Sequence, residues 1–145
     1  MNKQYREGVM TTKSEELAAL AERCEAAPGH DAWLNGKIAE ATGWRLDFRP
    51  DAADDEVMVD VWTSPDGQRS RSTPPPFATS LDAALTLVPE GWTFRLGSAP
   101  YRRGFAADLW PPIRDQQGDG PFVRRADAAT AALALTAAAL RALAP

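Results

Sequence analysis

The chain contains one cysteine, Cys24, and one histidine, His30, among its 145 residues. A lone cysteine excludes an internal disulfide framework and fits a reducing compartment. A lone histidine excludes paired-imidazole metal sites, and no Cys–His cluster, glycine-rich phosphate loop or nucleophile-elbow sequence is present. No apolar run approaches the roughly 20 residues of a membrane span. The opening MNKQYREGVM lacks an apolar signal core, so nothing argues for secretion. Lysine is also scarce, with 3 against 13 arginines. Together with abundant alanine, that bias points to a GC-rich genome and says nothing about activity.

The two residues best suited to chemistry have plain structural readings. His30 sits in a loop between Gly29 and a capping Asp31, which reads as a solvated side chain rather than a base or ligand. Cys24 falls on the apolar stripe of a helix with only Arg23 as a basic neighbour, which reads as a packed thiol. The acidic turn at 50–56, PDAADDE, does not match the ligand order of a calcium loop. No catalytic residue, metal ligand or cofactor is therefore assigned.

What is present suits one globular domain. The hydrophobic fraction is 44% and the charged fraction 25%, and 145 residues suffice to bury a substantial core. The net charge of −4 is unevenly spread. Residues 1–60 carry 7 basic and 13 acidic side chains, and residues 61–145 carry 9 basic and 7 acidic. A net acidic chain is a poor nonspecific DNA binder, whose affinity rests on neutralising phosphates. Its charge polarity could still steer a partner onto one face.

Periodicity places the elements. Residues 1–12 are polar and patternless and read as a flexible segment, with Met10 as an alternative start. Thr12 and Glu15 form a capping box for a helix over 13–27, with Leu17, Leu20, Ala21 and Cys24 on one stripe. Asp31 caps a second helix over 31–42, with Trp33, Leu34, Ile38 and Ala41 as its apolar face and Gly43 closing it. Alternation predicts strands from Trp44 to Arg49 and from Val57 to Trp62, followed by a Ser-Pro-Asp-Gly turn. The central stretch PPPFATSLDAALTLVPEGW, residues 74–92, supplies a rigid proline connector, a cap at Thr79 or Ser80, a short helix over 80–88 and a turn. Strands follow from Trp92 to Leu96 and from Phe105 to Trp110. After a loop at 111–120 come a short edge strand at 122–125 and an alanine-rich helix over 127–144 capped by Asp127. Small side chains let that helix approach a sheet closely.

The five tryptophans, Trp33, Trp44, Trp62, Trp92 and Trp110, fall at or near element ends. Most belong in the core of so small a domain. An anchor patch of Trp62, Trp110, Tyr101, Arg102 and Arg103 is the candidate binding surface, since aromatic and arginine side chains are enriched at protein interfaces. The same mix in the C-terminal half could stack on single-stranded nucleic acid, with acidic residues across the molecule set against it.

Four motifs in this order, LNGKIAEATGW at 34–44, WTSPDG at 62–67, the central stretch, and ATAALALTAAALRAL at 129–143, resemble the phage ABA sandwich domain family of small tailed-phage and prophage proteins. The resemblance covers about residues 31–145 and supplies no catalytic or binding residue. It implies an α+β fold, a mainly antiparallel sheet sandwiched between helices in α-β-α layers, within a single domain at 13–145. The function it suggests is a phage accessory protein that binds another protein, a host-defence factor among the candidates, without catalysis and without a membrane partner. A nucleic-acid binder or a virion structural component is the alternative. The implied location is the cytoplasm of a bacterial host, with virion association as the other option.

Overall fold

A computed structural model describes residues 12–99, 104–113 and 123–144. In chain order the elements are α1 (Lys13–Ala26), α2 (Ala32–Ala41), β1 (Arg45–Pro50), β2 (Met58–Thr63), β3 (Ser70–Arg71), α3 (Leu81–Leu85), β4 (Thr93–Ser98), β5 (Phe105–Trp110), β6 (Arg124–Ala128) and α4 (Ala131–Leu143). They form one α+β domain with two antiparallel sheets, ordered β1-β2-β3 and β4-β5-β6.

The helix starts follow their capping chemistry. Thr12 accepts from the Glu15 N–H at 3.1 Å, as an N-cap does, and donates its hydroxyl to the Glu15 carboxylate at 3.0 Å. Asp31 accepts from the Leu34 N–H at 3.0 Å, and Ser80 rather than Thr79 caps α3 through the Ala83 N–H at 3.1 Å. Gly43, just past α2, has a φ of +102°, the left-handed conformation that ends a helix at little cost to glycine. One cap differs from the sequence expectation. Asp127 lies inside β6, and Thr130 caps α4 by accepting from the Leu133 N–H at 3.1 Å. The alternation of β6 therefore runs three residues further than expected and the helix starts later.

Helix α4 is the middle layer. Every residue from Ala132 to Leu140 is buried, as expected for a helix apolar on all sides. Its alanines let β5 and β6 approach one side, where Ala107, Leu109 and Ala126 face the core, while α1 and α3 pack elsewhere on it. The expected mainly antiparallel α+β domain is found, its strands divided between two three-stranded sheets. Among the described helices, α4 contacts all three strands of the sheet β4-β5-β6 and α1 contacts β6. The face opposite α4 is polar: Asp108 lies between Arg95 at 3.1 Å and Arg125 at 3.4 Å. The Asp108 side chain is only 11% exposed, so the two arginines supply the pairing that a buried carboxylate requires.

The central stretch runs through the core as a turn. Phe77 and Ala78 are fully buried; Phe77 donates its N–H to the Pro75 carbonyl at 2.9 Å, and side chains from α2, α4 and the α4 cap meet the other backbone groups. Ala78 donates its N–H to Asn35 Oδ1 of α2 at 2.9 Å, and Thr136 of α4 donates its hydroxyl to the Phe77 carbonyl at 3.1 Å. Thr130 adds a bond to the Ala78 carbonyl at 3.3 Å. The free edge of β6 is closed differently. Glu25 of α1 accepts from the Asp127 N–H, Arg141 of α4 donates to the Arg125 carbonyl, and Glu25 and Arg141 pair with each other.

Asn35→Leu would strand the Ala78 N–H in the core, and Thr136→Val would strand the Phe77 carbonyl. Each should cost about 1–3 kcal/mol. Urea titration should show a lower midpoint at unchanged slope, and an unchanged midpoint would contradict the role given to these bonds.

Candidate protein-contact cleft

Helices α1 and α2 meet at the Pro28–Gly29 break, and the cleft between them has a volume of ≈ 710 Å³. Ala19, Leu20, Ala26 and Trp33 make its apolar lining, with Glu16, Glu22, Arg23 and Lys37 around them. Trp33 is 51% exposed. The Arg23 guanidinium lies over its ring at 4.5 Å from the centroid, and the Lys37 ammonium lies 5.9 Å away. The two cations hold the indole in place while leaving much of it open to water. An apolar floor with a charged rim and a rigid aromatic is the composition of a protein contact.

The helical period explains why Trp33 is outside the core. Leu34, Ile38 and Ala41 lie on one stripe and are buried, whereas Trp33 stands one residue off it, in line with Lys37 and Glu40. The sequence expectation that Trp33 belongs to the apolar face of α2 is corrected by that one-residue offset. The polar character of Lys37 and Glu40 was the available signal.

Of the expected anchor patch the described residues include Trp62 and Trp110, which lie in different sheets. Trp62 is 6% exposed, on β2, with the space above Gly36 of α2 filled by its ring. Trp110 is half-buried on β5, in the other sheet, opposite Thr93. Trp62 is thus corrected from surface to core, since it is the side chain that attaches the first sheet to α2. Tyr101, Arg102 and Arg103 lie outside the described residues, as do residues 1–11 and most of the 111–120 loop.

A second groove of ≈ 1020 Å³ lies between the Ser64–Asp66 turn, Trp44, Pro75–Pro76 and α3. Of its two acidic groups, Asp66 and Asp82, the first is already engaged. Asp66 accepts from the Ser64 hydroxyl at 2.5 Å and the Gln68 N–H at 3.0 Å, and these bonds, the hydroxyl first, hold its carboxyl below the ordinary value. An ionised carboxylate locked in a turn organises that turn and is unsuited to proton transfer.

Cys24 and His30 are not brought together over a pocket. His30 is exposed in the α1–α2 loop, and Cys24 is fully buried. Burial pushes the Cys24 thiol up to about 12, with the neighbouring Glu25 carboxylate adding to the rise. Among the described residues no three His, Cys, Asp or Glu side chains converge on a metal position. The arginines offered for nucleic acid are partly engaged: Arg125 pairs with Asp108 and with Asp127 at 3.7 Å. No helix among the described residues is long and apolar enough to cross a membrane.

Comparison with known proteins gives no matching family model, no matching curated protein and no matching solved structure. The phage likeness therefore rests on the four sequence motifs alone.

A folded-state pKa raised from 9.0 to about 12 means that the native state holds the Cys24 proton more tightly than the unfolded chain. The associated stability is complete below the unfolded value and is lost as pH rises toward the folded one. Alkylation at pH 8 should label native Cys24 about 100-fold or more slowly than the urea-unfolded chain. Urea stability should fall between pH 9 and 12, and Cys24→Ala should flatten that fall. Equal labelling rates in the two states would show an accessible thiolate and overturn the assignment.

Proposed function

We propose that this chain works by binding another protein, without catalysis, through the α1–α2 cleft centred on Trp33. The observation that carries the reading is a large indole left 51% exposed beside an apolar floor and held by Arg23 at 4.5 Å. Exposed tryptophan that is already ordered loses little further rotamer entropy on contact, so its burial goes largely into affinity. The partner is a segment with an apolar face and charges of both signs at its margins, to match Glu16 and Glu22 against Arg23 and Lys37. The N-terminal 60 residues, which hold both cleft helices, carry 13 acidic against 7 basic side chains, and this favours approach by a basic surface. On the phage likeness, that partner is a host-defence factor or another phage protein.

The test is affinity capture from bacterial lysate with nuclease present, at two salt concentrations, comparing wild type with Trp33→Ala. Circular dichroism establishes that the variant is folded. The expected result is a discrete protein retained by wild type and lost by the variant, with about 30-fold weaker binding when the pair is purified. A partner retained equally by both would remove the cleft from the contact. Loss of all bound material with nuclease would replace protein binding with nucleic-acid binding.

A further inference from the structure

Among the described residues nothing pairs with the outer edge of β1, and we infer that it pairs with the β1 edge of a second copy of this chain, antiparallel about a two-fold axis at Phe48. β1 is the first strand in the order β1-β2-β3. Its register with β2 runs from Arg45 opposite Thr63 to Pro50 opposite Met58, and the Asp51 N–H continues it by donating to the Val57 carbonyl at 2.8 Å. In an antiparallel pair, bonded residues alternate along the strand. The odd-numbered residues of β1 therefore bond to β2, and the even-numbered ones, Leu46, Phe48 and Pro50, point their backbone groups outward. Proline stands where an outward N–H would otherwise be stranded, which suits an edge position.

The side chains on that edge are unusually exposed for their type: Phe48 is 67% and Leu46 43% exposed. The charges decide the occupant. Reading Arg45, Leu46, Asp47, Phe48, Arg49, Pro50, Asp51 against its own reverse places Phe48 opposite Phe48, Leu46 opposite Pro50, Asp47 opposite Arg49 and Arg45 opposite Asp51. Every charged position meets its opposite, and every apolar position meets an apolar one. Shifting the pairing by two residues, so that Asp47 is central, sets Asp47 against Asp47 and Arg45 against Arg49 instead. Cross-strand pairs of opposite charge stabilise a sheet and like charges destabilise it, so the sequence selects the Phe48-centred register. This register also satisfies the bond directions, because the outward residues face one another. Phe48 exchanges two backbone bonds with its copy, and each Leu46 N–H reaches the opposite Pro50 carbonyl. Within one chain Arg49 bonds Asp47 at 3.2 Å, both side chains being about half exposed. Pairing exchanges this bond for one across the axis.

Charged edge strands and edge prolines also serve to prevent pairing. The order of the charges separates the two roles, since prevention needs no self-complementary order. The dimer uses a surface separate from the Trp33 cleft and does not rest on it.

The test is the solution mass of the full chain by light scattering at concentrations from about 10 to several hundred µM. Wild type should approach twice 15.7 kDa as concentration rises. Asp47→Arg sets Arg against Arg49, and Arg49→Asp sets Asp against Asp47. Each variant alone should raise the dimer dissociation constant about tenfold or more. An equimolar mixture of the two should recover the dimer, because each then offers the charges the other lacks. Trp33→Ala should leave the mass unchanged, which keeps this result distinct from the fate of the cleft. A wild type that stays monomeric throughout, or single variants that dimerise as well as wild type, would overturn the proposal.

Discussion

The fold depends on a buried turn that satisfies only part of its own backbone. Phe77 and Ala78 sit at zero exposure, in a stretch led in by prolines that donate nothing. Two groups in that turn take their partners from Asn35 and Thr136, which come from helices 43 and 59 residues away in sequence. A buried peptide group without a partner costs more than most single apolar contacts contribute, so these polar side chains constrain where α2 and α4 can lie. The apolar packing of Leu133, Leu135 and Leu140 then acts on a geometry that the hydrogen bonds have already narrowed.

A second polar device ties the N-terminal helix into the same frame. Glu25 and Arg141 pair with each other and also occupy the outward N–H of Asp127 and the outward carbonyl of Arg125. One ion pair thus joins α1, α4 and the edge of β6, and closes that edge to other strands. The guanidinium's pKa is raised, chiefly by its bond to Glu25. The contrast with β1 is instructive. The β6 edge of the C-terminal sheet is covered by side chains from two helices, while the β1 edge of the first sheet is one that nothing described covers.

Much of this was legible in the sequence, and the misses share a cause. Capping residues and 3.6-residue periodicity located α1 and α2 to within a residue or two, because caps act locally and depend on little else. Ser80, Asp31 and Thr12 perform as local chemistry dictates. Asp127 failed as a cap because strand pairing with Ala106 extended β6 past it, and pairing is a property of the whole sheet. The division of the strands into two sheets is likewise a property of the whole fold. An alanine-rich helix reads as one that approaches a sheet, but burial on every side requires knowing what covers its far face. Periodicity placed Trp33 within α2 and could have placed it on the Lys37–Glu40 side. The exposure of Trp62 and Trp110 was not fixed by alternation, since alternation divides two faces without saying which is covered.

The distribution of cancelled and uncancelled surface gives the molecule a direction. On the C-terminal sheet Arg95 and Arg125 close on Asp108, and a group already satisfied gains little from a partner. Between residues 16 and 51 the features are of the other kind: an ordered indole in water, an apolar cleft, and a strand edge that no described strand pairs. These are groups for which association is the remaining way to lose exposed surface. If β1 joins two copies, each assembly carries two Trp33 clefts at a fixed separation. Such an arrangement binds a repeated or dimeric partner far more tightly than one cleft does, because the second contact becomes intramolecular. A modest cleft of ≈ 710 Å³ then suffices for stable association without any deep or catalytic pocket.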